Sequence, residues 1–270
     1  MNLPGTLILL AFTVPSAAAL GGTITPERLR CEYLENPLGI DVVEPRLSWE
    51  LRANDENARG LRQNAYQVQV ASSPGLLVAG KIDLWDSGKV ESDETVGITY
   101  AGEKLGSRDR CHWRVRVWNG EDQPSPWSEA ASWSMGLLQR SDWTGHWIAA
   151  PPEIASTTRP AGSKEEVTIL PLLRKRFSLD RPVQSATLHV SSLGYHRIEL
   201  NGAKVGDHEF DPVQSDYSRR VYYVTHDVTC NLRRGENVLA ASLGKGGHGK
   251  GIHGVTKDRP ALVVEVIVCY

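Results

Sequence analysis

The densest run of groups able to do chemistry is Asp207-His208-Glu209-Phe210-Asp211, followed shortly by Asp216. An inverting glycosidase needs two carboxyl groups about 6.5–9.5 Å apart across a sugar site. Asp207, Glu209, Asp211 and Asp216, with His208 among them, hold enough carboxylates to supply an acid and a base. Asp207, Asp211 and Asp216 also offer the oxygen ligands that a hard cation such as Ca²⁺ requires. A third reading is a solvated loop whose aspartates close turns. The sequence leaves all three open. Tyr195, Tyr217 and Tyr222 stand close by in the chain, among Asn201, Asp211 and Asp216. Rings able to lie on apolar sugar faces, beside a few polar groups that fix orientation, are what a carbohydrate site uses.

Other chemistries find no pattern. There is no Gly-x-Ser-x-Gly elbow for a nucleophilic serine. Cys31, Cys111, Cys230 and Cys269 lack the Cys-x-x-Cys spacing of a zinc site. They leave three disulfide pairings open, alongside buried free thiols. The stretch Gly244–Gly254 is glycine-dense, but a phosphate cradle needs a helix after it. The residues that follow pass Pro260 and enter a strand-like run, Val263 to Val268, so a loop at a sheet rim is expected instead.

These residues must be positioned by strands. Tyr195, Arg197 and Glu199 alternate with His196, Ile198 and Leu200, the period-2 pattern of a half-buried strand. Asn201-Gly202 follows, the dipeptide that best supports a type I′ hairpin turn. Val221 to Val224 begins another strand, and Val238–Leu243 and Ala261–Cys269 two more. Leu173–Phe177 and Ala186–Val190 precede them. Earlier in the chain, Leu29, Cys31 and Tyr33 share one face, as do Leu47, Trp49 and Leu51. Gln63–Ser72 and Arg110–Asn119 alternate cleanly, and Val96–Tyr100 and Ala131–Met135 are short strands. Leu76–Lys81 reads as a loop or short helical turn. Seven short strands in about a hundred residues, with frequent turns, fit an immunoglobulin-like or fibronectin type III sandwich.

The fold class is therefore all-β, with two β-sandwich domains, the first Ig/fibronectin III-like and the second jelly-roll-like. The expected division is an export signal at 1–22, the first sandwich at 23–137, a linker and insert at 138–171, and the second sandwich at 172–270. A length of 270 residues suits two domains of ordinary size. The net charge of -2 gives no reason to expect nucleic acid or an anionic membrane as partner. Eight Trp against three Phe suit sandwich cores and interfaces. Leu7–Ala19 is apolar, ends in small residues, and is too short to span a bilayer. It has the form of a secretory signal, although Met1-Asn2-Leu3-Pro4 carries no basic residue. A secreted or periplasmic protein without membrane insertion is expected. Trp143 and Trp147 near the boundary suggest a packed connection. The last strand stops one residue before the end of the sequence, which suggests a longer natural polypeptide.

Taken together, Leu29-Arg30-Cys31-Glu32-Tyr33, Asn36-Pro37-Leu38-Gly39-Ile40 and Pro45-Arg46-Leu47-Ser48-Trp49 resemble the first module of bacterial α-L-rhamnosidases of glycoside hydrolase family 78. The junction Trp143-Thr144-Gly145-His146-Trp147-Ile148-Ala149 resembles the start of that family's rhamnosidase N-terminal domain. So do Leu193-Gly194-Tyr195, Leu200-Asn201-Gly202, Val205-Gly206-Asp207, Asp211-Pro212, Asp216-Tyr217 and the run Val221–Val228. The family usually continues with Asn-Gly-Trp-Tyr where this chain has Lys245-Gly246-Gly247-His248, so an aromatic platform expected there is missing. The resemblance implies a non-catalytic N-terminal part that supports a catalytic (α/α)6 domain, in cis or on an adjacent chain. Rhamnose-containing glycans are the ligands to expect with it, and the aromatic and polar mix of the second module makes Tyr195, Asn201, Asp211, Asp216, Tyr217 and Tyr222 the candidate contacts. The family's acid and base belong to the helical domain, so no residue here inherits a catalytic role. No cofactor is implied beyond Ca²⁺ at the aspartates. An active α-L-rhamnosidase completed by a downstream domain, and a structural adhesion-type pair, are the alternatives.

Overall fold

The computed structural model describes residues 24–151, 171–244 and 260–270, together with the backbone of 157–158 and 167–168. The expected export signal, most of the polar insert and the glycine-dense run after Gly244 lie outside the described residues. In chain order the strands of the first sandwich are β1 (Ile24–Cys31), β2 (Arg46–Ala53), β3 (Gln63–Ala71), β4 (Trp85–Asp86), β5 (Val90–Glu91), β6 (Ile98–Thr99), β7 (Arg110–Asn119) and β8 (Ala131–Ser134). One sheet has the order β1-β2-β6 and the facing sheet β4-β3-β7-β8, with β5 also paired to β3. A single helical turn, α1 (Pro74–Val78), follows β3, capped by the Ser73 side chain on the Leu76 N–H.

Alternation along β7 decides what lies inside. Cys111, Trp113, Val115 and Val117 are buried, while His112, Arg114 and Arg116 are only partly so. Arg114 and Arg116 do not project freely. Their guanidinium carbons lie 4.5 and 4.7 Å from the Trp127 ring centre, and their side chains bond Gln69 and Gln67. The core between the sheets is built on Trp49, Trp113 and Trp133, with Trp113 and Trp133 in edge contact at 6.5 Å. The Trp49 indole N–H donates to Gln63 Oε1 at 3.0 Å, whereas the indole N–H groups of Trp113 and Trp133 have no partner. Each orphaned donor costs about 1–3 kcal/mol. Burying an indole contributes roughly 4–6 kcal/mol, so the packing wins.

Two faces expected from alternation are not as the sequence suggested. Tyr33 is 59% exposed. Strand β1 ends at Cys31, and Glu32 and Tyr33 take left-handed backbone angles that turn the chain away. Arg28 is also left-handed, at a register shift between Glu27 and Arg30. Leu51 lies on the far end of β2 and is exposed rather than in line with buried Leu47 and Trp49.

The second sandwich follows β9 (Ile148–Ala149), β10 (Thr157–Thr158) and β11 (Val167–Thr168). Its further strands are β12 (Leu172–Leu179), β13 (Ser185–Leu193), β14 (Tyr195–Leu200), β15 (Ala203–Lys204), β16 (Tyr223–Asp227), β17 (Gly235–Gly244) and β18 (Ala261–Cys269). Two antiparallel sheets, β12-β17-β14-β15 and β16-β13-β18-β9, enclose Leu188, Val190, Ile198, Leu200, Ala241, Leu243 and Leu262. The hairpin after β14 forms at Asn201-Gly202, with φ of +54° and +85°, the left-handed pair that a type I′ turn demands. Strand β16 begins at Tyr223, two residues later than the sequence pattern indicates. Strand β9 belongs to the stretch read as linker, yet it pairs with Ala261 and Leu262 of β18.

The sheet β16-β13-β18-β9 has little solvent-facing surface along β13, because the first sandwich covers its outer side. Leu188 and Val190 point into the core, while Thr187, His189 and Ser191 point out, and His189 and Ser191 are nonetheless buried.

Candidate functional site

The joint between the sandwiches is assembled from outward-facing residues of β13, β16 and β18. On β16, Tyr223 lies opposite Ser191, and its hydroxyl accepts the Leu137 N–H at 2.7 Å. Its ring meets Trp143 edge-on at 5.5 Å, and Trp143 also approaches His189 at 6.4 Å. On β18, Glu265 accepts from Arg108 Nη2 at 3.0 Å and from the Thr144 N–H and hydroxyl at 2.9 and 3.0 Å. Arg108 also donates to the Asp142 carbonyl and holds a left-handed backbone at φ +70°. Arg110 reaches Thr187 Oγ1 at 3.2 Å. Burial pushes the Glu265 carboxyl up, but the Thr144 and Arg108 hydrogen bonds outweigh it and hold the group below its ordinary value. His189 donates to or accepts from Thr225 Oγ1 at 3.0 Å, and burial lowers its pKa.

Glycines let the two backbones approach. A Cβ on Gly39 would stand 2.5 Å from Thr225 Oγ1, and one on Gly136 would collide with the Tyr223 hydroxyl. The paired Trp143 and Trp147 of the sequence therefore divide. Trp143 is wedged into the joint, whereas Trp147 stays 47% exposed.

The residues expected to bind sugar are dispersed. The Tyr217 ring is buried, and its hydroxyl accepts the Gly194 N–H at 3.1 Å. It packs with Leu193 and Ala261, and what remains of its surface lines a cleft with Arg219, Arg220 and Trp147. Asn201 is a clasp: its amide donates to the Asn231 carbonyl and to Asn237 Oδ1, and its Oδ1 accepts the Val238 N–H. Asp216 Oδ1 accepts from the Ser218 N–H and hydroxyl, an Asx-turn. Tyr222 is exposed beside Arg220. Tyr195 lies elsewhere, edge-on to the exposed Phe210 ring at 5.5 Å. Among the described residues Tyr195 meets Phe210, the neighbour of Asp211 in the chain, while Tyr217 lies at a cleft with Arg219 and Arg220.

The acidic run does not converge. Asp207 points into solvent, and Glu209 is bound by Lys204 at 2.6 Å. Among the described residues, no group of three or more His, Cys, Asp and Glu is arranged to hold a metal ion. Asp211 instead sits between imidazoles, 3.1 Å from His208 Nδ1 and 4.0 Å from His226 Nε2. Its carbonyl accepts the His196 N–H at 2.8 Å. His196 is buried, its Nδ1 2.9 Å from Ser192 Oγ and its Nε2 without a partner. Burial pushes its pKa down to about 4. Sequence spacing could not reveal this grouping, because His196 and His226 sit on opposite sheets and the loop bearing Asp211 spans between them. All four cysteines are free thiols, with Cys31 and Cys111 buried in the first core and their pKa values pushed up to about 12 by burial.

Two β-sandwiches joined through Tyr223, Glu265 and Trp143 define the class of the chain, an all-β pair of modules. Residues 26–139 match the Rha78A-like, N-terminal immunoglobulin domain, and residues 181–270 match the α-L-rhamnosidase N-terminal domain. An α-L-rhamnosidase of Formosa agariphila is 32% identical over 261 residues, covering 92% of this chain and 27% of that protein. The solved α-L-rhamnosidase of Dictyoglumus thermophilum is 34% identical with a TM-score of 0.77, covering 90% of this chain and 27% of the other. The Streptomyces avermitilis α-L-rhamnosidase complexed with L-rhamnose shares the fold, with a TM-score of 0.78 at 24% identity over 92% of this chain and 39% of that one. The chain carries a Rha78A-like N-terminal immunoglobulin domain followed by an α-L-rhamnosidase N-terminal domain, and it spans about a quarter of the length of the curated relatives it matches.

Proposed function

We propose that this chain is a non-catalytic N-terminal part of an α-L-rhamnosidase-like glycoside hydrolase and that it supports the catalytic domain. The observation that carries the reading is the joint. Tyr223, Glu265, Arg108 and Trp143 join the two sandwiches, and the alignments that run through most of this chain cover about a quarter of each α-L-rhamnosidase relative. The purified chain is expected to release no nitrophenol from nitrophenyl α-L-rhamnoside above buffer. A catalytic domain from a relative, added in trans, is expected to co-elute with it and gain thermal stability. Turnover by the chain alone, or indifference of the catalytic domain to its presence, would overturn the reading. Export through Leu7–Ala19 belongs to the same reading, and N-terminal sequencing of secreted protein tests it.

A second reading, binding of rhamnose-containing glycans, has one observation behind it. The Phe210 ring is 72% exposed, braced edge-on by Tyr195 and next in sequence to Asp211. Calorimetry with L-rhamnose and rhamnosides, using the chain and Phe210→Ala, tests it. Heat that disappears in the variant is the expected result; no heat at millimolar ligand would remove the reading.

A further inference from the structure

We infer that a second, cationic cleft on this chain binds an acidic saccharide through its carboxylate or sulfate groups. The cleft encloses about 540 Å³ where the junction meets the second sandwich, a volume within the range of small-molecule sites. Arg140 and Trp147 come from the junction, and Arg219 and Arg220 from the loop before β16, with Tyr223 between. No acidic side chain lines it.

The three arginines differ from those around them. Arg46, Arg52, Arg108 and Arg197 each pair with a glutamate at 2.6–3.0 Å. Arg140, Arg219 and Arg220 have no carboxylate and no side-chain hydrogen bond among the described residues; Arg220 only lies 5.9 Å over the Tyr222 ring. The carboxylates nearest in sequence are occupied: Asp142 Oδ2 accepts from the Gln139 N–H and Ser107 hydroxyl, and Asp216 closes its own turn. Three unneutralised charges in one concavity, on a chain of net charge -2, create a local positive field. Guanidinium forks match planar or tetrahedral oxyanions bidentately. The exposed Trp147 indole on the same wall offers a flat face for a pyranose ring, a partner that inorganic anions lack. The combination of forks and ring selects a sugar acid or sugar sulfate over a simple ion.

The site is separate from the Phe210 surface and goes beyond the supporting role proposed above. It is tested on the full chain by calorimetry and Trp fluorescence with trigalacturonate, a sulfated disaccharide and the neutral maltotriose. Binding of either acidic probe at least about tenfold tighter than the neutral one is expected, weakening as salt rises. Which acidic probe binds distinguishes carboxylate from sulfate. Arg140→Gln and Arg219→Gln are each expected to weaken binding about tenfold, the loss of one charged hydrogen-bonding partner. Their melting temperatures should hold, since neither side chain bonds the fold. Equal affinity for maltotriose, no binding of either acidic probe at millimolar concentration, or unchanged affinity in both variants would overturn the inference. So would loss of catalytic-domain co-elution in these variants without saccharide binding, which makes the cleft a protein seam. None of these results alters the co-elution expected of the native chain.

Discussion

Tyr223 shows how much can rest on one hydroxyl. Its ring fills the gap between Trp143 and His189, and its oxygen accepts an N–H that has no other partner in the joint. Tyr223→Phe keeps the ring but orphans the Leu137 N–H, and is expected to cost about 1–3 kcal/mol in urea denaturation. Gly136→Ala should cost at least as much, because the Cβ and the hydroxyl compete for the same space. Tyr217 illustrates the limit of reading residues by type. A tyrosine beside an aspartate looks like a sugar contact in the sequence, but the turn after Asp216 buries most of its ring and spends its hydroxyl on the Gly194 N–H, which residue type alone does not reveal. Asn201 was legible as a turn residue from its Asn-Gly context. That its amide also clasps Asn231 and Asn237, thirty or more positions away, leaves no local trace.

At the level of elements, period-2 patterning located β3, β7, β14 and β18 closely, because each has one face on a core and the pattern records that face. It misplaced Tyr33 and Leu51, where a left-handed turn or a strand end breaks the alternation. It located β13 at Ala186–Val190 but not its second buried face, where the outward His189 and Ser191 are covered by the other sandwich. Burial on both faces of a sheet is set by a neighbour that the strand itself does not encode. For the β14–β15 hairpin, Gly202→Ala should destabilise by about 1 kcal/mol through the left-handed backbone. Asn201→Ala should cost about 2–3 kcal/mol through the lost clasp. Chemical denaturation of both variants checks the order.

For the molecule as a whole, the Glu265 carboxylate ties both sandwiches and the junction together. Its pKa is depressed in the fold. Its contribution is therefore present above the unfolded-state carboxylate value, about 4.3, and is lost as pH falls below that through the depressed folded value. Calorimetry should show one joint transition at neutral pH and separation toward two as acid loosens the joint. Glu265→Gln should bring that separation to neutral pH, and a single unchanged transition would contradict the role given to this residue.

Strand β9 has one more implication. It is the outermost ribbon of the sheet that carries β18, and it arrives from the part of the chain leading out of the first sandwich. A polypeptide begun at Leu172 would leave Ala261 and Leu262 with bare amide and carbonyl groups along an open margin. Such a margin recruits strands from other molecules. The shortened protein is expected to self-associate, while one begun at Trp143 should stay monodisperse on a sizing column.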